Sequence, residues 1–470
     1  MENKLKEPPR IAVKFANMMF LLGILFSILL VVYAIYKIYN LPEILSPVFY
    51  IFSILCGGVF AALFGIGLKR LSNNLKVNLL LLFFPVGIAV YGFETYLEFQ
   101  RSTIKAKREI IAKQTDVSYD TRTQMEVLDD LRDSGVNVIP DVNPASFRKS
   151  DGLKTNRGRI YPLGSISNSA TIGGNEAGYY PIIETDEYGF NNPKGLYNKN
   201  KVDIILTGDS FTEGRSVHSD ENISAVLRKL DFNAISIGQA GNGPLIEHAA
   251  LKEYAEPLKP KIVLWLYFGN DLGDLSEEMK SSILNKYLNE DDYSQNLISR
   301  QEEIDGLLKN YIKYEWKKEN ERRRMEYERY SGIPAIRIIK LYNLRIKINL
   351  TPTPTLYLPT LIFRDILQKS KQMVSDWDGK MYLVYLPYFE RYSTGNEDSN
   401  RNFVMQTATE LDIPIIDIHK EVFDPHLDPF SLFPFRIGGS HYNAEGYRLV
   451  AEAIEKRLEA DGYVPIKSKK

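Results

Sequence analysis

Three apolar runs without a single charge occupy the first hundred residues, and they constrain this chain more than any other feature. Phe15–Tyr36 is 22 residues long, Val48–Leu68 is 21, and Val77–Phe93 is 17 and contains Pro85. A helix needs about 20 apolar residues to cross roughly 30 Å of hydrocarbon, so the first two predict membrane spans. The third is short by that measure, with Asn78 and Glu94 placed for the two interfaces. Lys/Arg-bearing loops separate the runs, which is unlike a soluble core. A cleaved leader does not fit the first run. Its apolar stretch exceeds the usual length of about 7–15 residues, and no small-residue cleavage site follows at Tyr39-Asn40-Leu41-Pro42.

Orientation follows from positive charge in short loops. The N-terminus and second loop carry seven such charges (Lys4, Lys6, Arg10, Lys14, Lys69, Arg70, Lys76). The first loop and the flank after the third run carry six (Lys37, Arg101, Lys105, Lys107, Arg108, Lys113). Five of those six open a long domain, where the rule is weak. The expectation is an integral membrane protein with its N-terminus inside and its C-terminal region outside the cytoplasm.

The 470 residues suit two or three domains. We expect a membrane anchor over 1–99, a partly helical connecting region over 100–181, and a third domain over 182–470 with a helical insertion at 275–350. Composition is ordinary, with 44% apolar residues, 25% charged residues and a net charge of −1. That excludes a disordered chain, a collagen-like chain and a basic nucleic-acid binder. One cysteine, Cys56, excludes a disulfide framework and a Cys-based zinc site, and five histidines leave little room for a histidine cluster. No cofactor, metal or nucleic-acid partner is expected.

Beyond the anchor, Thr121–Asp133 predicts a short amphipathic helix ended by Gly135, Val136–Pro140 a strand, and Ser150–Glu176 a loop. A soluble portion is expected to begin near Tyr119. After Ile182 short apolar runs alternate with helical stretches. The runs are Val202–Leu206, Ala234–Ile237, Ile262–Phe268, Met381–Leu386 and Pro414–Ile418. The helical patterns are Ile223–Leu230, Leu245–Ala255, Thr360–Trp377 and Ala444–Ala460. Strand–helix alternation with continuously apolar strands predicts an α/β fold, a doubly wound parallel sheet. Leu275–Tyr330 interrupts it as a charged helical stretch, read as a solvated hairpin or a cap over the site. Thr351-Pro352-Thr353-Pro354-Thr355 reads as the linker back to the sheet.

Ligands in such sheets bind at the carboxyl ends of strands, and four blocks stand where chemistry is expected. The first run is followed by Gly208-Asp209-Ser210-Phe211-Thr212-Glu213-Gly214, with Ser210 at a strand-to-helix turn. After the second comes Gly238-Gln239-Ala240-Gly241-Asn242-Gly243-Pro244, where glycine lets the backbone approach a ligand. After the third comes Gly269-Asn270-Asp271, whose Asn amide is a donor suited to an oxyanion. Last comes His441-Tyr442-Asn443-Ala444-Glu445-Gly446-Tyr447, opening a helix.

In this order the four blocks resemble the SGNH hydrolases, the GDSL esterase and lipase superfamily. The resemblance covers roughly Asp186 to Ala460 and includes Asp186-Glu187-Tyr188-Gly189-Phe190-Asn191, similar to the lead-in of membrane-linked members. It implies a flavodoxin-like sheet and an acyl-enzyme mechanism. Ser210 would be the nucleophile and His441 the base. The oxyanion hole would be the backbone N–H groups of Ser210 and Gly241 with the Asn270 side chain. Asp209, Asp271 and Asp417 are supporting candidates.

One position departs from the family, which has Asp three residues before the histidine where this chain has Gly438. Three readings stay open. A Ser–His dyad works with a backbone carbonyl as orienter, a carboxylate comes from elsewhere (Asp417, Asp424 or Asp428), or the site is weak or dead. Three functions stay open: an ester hydrolase acting on O-acyl esters of a surface glycan, an O-acyltransferase in surface polysaccharide modification that differs only in its acceptor, and a non-catalytic glycan-binding or scaffold protein, for which Gly438 is the argument. The expected partners are the membrane and an acyl ester or glycan substrate, with room for a membrane-bound acyl-transfer partner.

Overall fold

The apolar runs form helices α1 (Arg10–Tyr39), α2 (Val48–Arg70) and α3 (Asn73–Phe99) in the computed structural model. It describes residues 7–39, 48–100, 104–197, 202–318, 321–322, 333–348, 357–395 and 400–464. All three helices are long and apolar enough to cross a membrane. With lipid on the outside, helices associate by close packing, and glycines permit it here. A Cβ on Gly57 would lie 2.7 Å from Val31 Cγ2, and one on Gly67 2.4 Å from a Phe20 ring carbon.

The third run is short in sequence, yet α3 has 27 residues. The extension is possible because its acidic end is paired. Glu94 is fully buried and accepts from the Asn343 N–H (2.9 Å) and Nδ2 (3.0 Å) and from the Leu344 N–H (2.7 Å). Glu98 pairs with Arg337 and accepts from Asn343 Nδ2 at 2.8 Å. These partners sit on two short helices, Pro334–Ile339 and Tyr342–Lys347, that pack on α3. The chain divides into two units, one drawn from Met1–Arg101 and Asn320–Tyr357, the other from Ser102–Glu319 and Leu358–Lys470.

The second unit is an α/β layer structure. Its main sheet has strands β1 (Ile204–Thr207), β2 (Ala234–Ser236), β3 (Ile262–Tyr267), β4 (Lys380–Tyr385) and β5 (Ile415–Asp417). All pairs are parallel and the spatial order is 2-1-3-4-5, the flavodoxin-like arrangement with its topological switch between β1 and β3. Alternate residues face opposite sides. Ile204, Leu206, Leu264, Leu266, Tyr382 and Val384 join one core with Val450, Ile454 and Leu458 of the C-terminal helix Ala444–Ala460. On the other face Thr207 donates to the Glu247 carbonyl, and the Tyr267 ring lies 5.7 Å from that of Phe363 in helix Tyr357–Asp376. Both faces are therefore covered, which is why the strand sequences are apolar throughout.

The segment before the sheet is more ordered than its composition suggests. Helix α4 spans Ile104–Gln114, and Gln124–Asp133 forms a helix with a capping box between Thr123 and Glu126. Within the expected loop Ser150–Glu176 lie a hairpin, Leu153–Thr155 with Gly158–Ile160, and a strand, Ala170–Ile172, joined by Val138–Pro140 and Ile182–Glu184 in a three-stranded sheet. The charged stretch after β3 is not wholly solvated, because helices Ser282–Asn289 and Gln301–Tyr311 bury Ile283, Leu284, Tyr287, Ile304 and Leu308. The linker expected at Thr351–Thr355 lies outside the described residues, as does part of the run Glu315–Arg324.

Candidate active site

β1 ends at Thr207 and the chain turns sharply. Gly208 has φ 155°, and a Cβ there would lie 2.1 Å from Thr212 Oγ1 and 2.9 Å from the Leu266 carbonyl, so only glycine fits. Asp209 then caps a four-residue helical turn, Ser210–Glu213, by accepting from the Phe211 N–H at 2.9 Å. Ser210 opens that turn at the carboxyl edge of the sheet, partly exposed. His441 precedes the C-terminal helix, whose N-cap Asn443 accepts from the Gly446 N–H.

The structure brings these two residues together. His441 Nε2 lies 2.7 Å from Ser210 Oγ. The other ring nitrogen, Nδ1, lies 3.0 Å from Glu176 Oε2, and the same oxygen accepts from the His441 N–H (2.8 Å) and the Ser216 hydroxyl (2.6 Å). Burial alone would raise the Glu176 pKa. The facing His441 charge, the His441 ring and backbone N–H and the Ser216 hydroxyl outweigh it, and the carboxyl is held at about 2. An ionised Glu176 makes Nδ1 the protonated nitrogen and leaves Nε2 to accept from the Ser210 hydroxyl.

The carboxylate facing His441 therefore comes from the connecting region. Asp417 instead pairs with Arg401, with Lys420 at 3.8 Å, while Asp428 pairs with Arg436 and Asp424 is exposed. At Gly438 an Asp would need the side chains of Glu390 and Phe389 to shift, since a Cβ there would lie 2.7 Å from Glu390 Oε1 and 2.8 Å from Phe389 Cδ1. Asp209 and Asp271 are buried within the loops. Asp209 Oδ2 is 3.5 Å from Ser210 Oγ, and burial pushes its pKa up to about 6. Asp271 accepts from the Phe268 N–H at 3.0 Å, and burial, with Glu247 and Asp209 nearby, raises its pKa well above the usual range.

Gly241 and Asn270 follow the two strands that flank β1. Gly241 has φ 75° and seats against Ala145, and its carbonyl accepts from Arg148. Asn270 is exposed and donates through Nδ2 to Asp274 Oδ2 at 2.7 Å.

Three residues at the site carry no sequence signal: Glu176, Arg148 and Arg108. Arg108 of α4 is buried, and it donates to the Asn175 carbonyl (3.2 Å), the Gly439 carbonyl (3.3 Å) and Ser440 Oγ (2.6 Å). It thus ties the residue before Glu176 to the two residues before His441. Only the absence of a carboxylate at 438 pointed to a missing partner, and the chain offers 59 acidic residues to fill it.

No protein-family model matches the chain, and no curated protein matches it. Among solved structures, a member of the lipolytic protein G-D-S-L family from Veillonella parvula is 13% identical, covering 55% of this chain and 98% of that one at a TM-score of 0.30. The lipase/acylhydrolase from Enterococcus faecalis is 12% identical, over 55% and 96%, at 0.30. The acetyl xylan esterase AlAXEase is 14% identical, over 55% and 100%, at 0.31. At these scores the overlap assigns neither activity nor substrate.

Proposed function

We propose that the chain is a membrane-anchored, serine-dependent ester hydrolase of the SGNH type. The observation that carries this reading is His441 bridging Ser210 Oγ and Glu176 Oε2 through its two ring nitrogens. Ser210 Oγ attacks the carbonyl carbon of an O-acyl ester as its proton passes to His441 Nε2. The new oxyanion is stabilised by the N–H groups of Ser210 and Gly241 and by the Asn270 amide. His441 returns the proton to the departing alcohol, leaving an acyl-serine. Water then attacks that ester with His441 again as base, releasing the acid and restoring Ser210. Glu176 holds the imidazole in one tautomer and balances its charge while it carries the extra proton.

Glu176 facing His441, with Gly at 438, favours the catalytic over the non-catalytic reading. The acyltransferase reading shares every step up to the acyl-serine and differs only in the acceptor. Ser210→Ala should abolish both fluorophosphonate labelling and turnover of a 4-nitrophenyl acetate. Retained labelling in that variant would overturn the serine mechanism. Faster acyl-enzyme turnover with a glycan acceptor than in water would favour transfer over hydrolysis.

The proposed substrate class is an acylated glycan at the cell surface, because the positive charges of the N-terminus and second loop favour an external site. A reporter that fluoresces only in the cytoplasm, fused after Lys470, is expected to stay dark. A bright reporter would reverse the topology and remove this class of substrate.

A further inference from the structure

We propose that Arg148 is a positioning residue that sets both oxyanion-binding elements beyond the serine. This rests on the reading of Ser210 as nucleophile. The guanidinium donates to the carbonyl of Gly241, to Asp274 Oδ1 at 2.8 Å and to Glu278 Oε1 at 3.2 Å. Each acceptor leads to a different part of the site. Fixing the Gly241 carbonyl fixes the loop after β2. Asp274 uses its other oxygen to hold the Asn270 amide at 2.7 Å. Glu278 receives the N–H groups of Gly243 (2.5 Å), Leu245 (3.0 Å) and Ile246 (3.3 Å), and so caps the helix that follows the Gly241 loop. One planar group with several donors in a fixed fork meets all three acceptors at once.

Charge adds a second effect. Asp274 holds the Asn270 amide and Glu278 the Gly243 N–H, so unbalanced negative charge on these carboxylates would oppose an oxyanion held by the neighbouring donors. Arg148, only 14% exposed, faces both. The side chain is carried on a segment that is itself fixed. It follows the turn Pro144–Phe147, whose Phe147 ring meets Tyr311 and whose Pro144 carbonyl accepts from Tyr161. The same turn places Ala145 against Gly241.

The test uses the full-length protein in detergent with 4-nitrophenyl acetate. Arg148→Lys keeps the charge but cannot meet three acceptors. It is expected to lower kcat about 10²-fold, the order of losing one oxyanion donor, with KM within about threefold. Asp274→Asn should lower kcat about tenfold, since it weakens the hold on Asn270 without exposing a buried charge. If Arg148→Lys fails to fold, Asp274→Asn, which leaves Arg148 and the Glu278 cap in place, carries the test alone. Wild-type kcat in a folded Arg148 variant, or in Asp274→Asn, overturns the positioning role. A purely structural role would lower the melting temperature and the active fraction while leaving kcat per labelled serine unchanged, and that result also overturns it. If Ser210→Ala keeps its turnover, the nucleophile reading itself has failed. If Ser210→Ala is inactive and Arg148→Lys is not impaired, only the positioning role falls.

Discussion

Glu176 is kept ionised by its protein partners, and that has consequences for both rate and stability. Glu176→Gln should lower kcat by about 10³–10⁴, because an amide cannot fix the imidazole tautomer or balance its charge. For stability, a folded-state pKa of about 2 lies below the ordinary value of 4.5. The contribution is therefore fully present above about pH 4.5 and is lost as pH falls toward 2. The stability gap between the wild type and Glu176→Gln should stay level from neutral pH to about 5 and narrow below it, as read from urea unfolding. A gap that stays level down to pH 3 would mean Glu176 is not paired as described. Ser210 and His441 were legible in the sequence because each sits in a short block at a strand or helix boundary. Glu176 was not, because it lies 265 residues from its partner in a segment with no periodicity. The empty position at 438 announced the need for a carboxylate without saying which one meets it.

Elements differed in the same way. All five strands of the main sheet could be read, since strands buried on both faces need continuous apolar runs. The helix α4 could not, because its sequence is polar and mixed and its main contribution is a buried arginine. Arg108 was counted among the charges that orient the chain in the membrane, yet it spends its donors on the backbone beside Glu176 and His441. Hydrogen bonds from a charged donor are worth about 1.5–3 kcal/mol, enough to hold two loops in register. A start near Tyr119, the expected beginning of the soluble portion, would remove α4. With residues 320–357 replaced by a flexible linker, a chain beginning at Tyr119 should lose most of the esterase turnover kept by one beginning at Ser102. Equal turnover would show that α4 does not support the site.

At the scale of the whole molecule, the transmembrane unit is not simply the first hundred residues. It also takes Asn320–Tyr357, the stretch between β3 and β4. The sequence shows that the sheet is interrupted there, but not where the interruption goes. The signal lay in Glu94 and Glu98, two acids at the end of an apolar helix whose partners, Arg337 and Asn343, come from that interruption. The order of synthesis follows from this threading. Chains are made from the N-terminus and their parts fold as they emerge, so Glu176, Ser210, Gly241 and Asn270 are all made before the chain returns to the transmembrane unit. His441, 231 residues after the serine, is made only after that return and after both remaining strands. Under the proposed mechanism a half-made chain, already carrying its three apolar helices, holds the serine without its base, so the hydroxyl stays unactivated until Asn320–Tyr357 has joined the first unit and the sheet is closed.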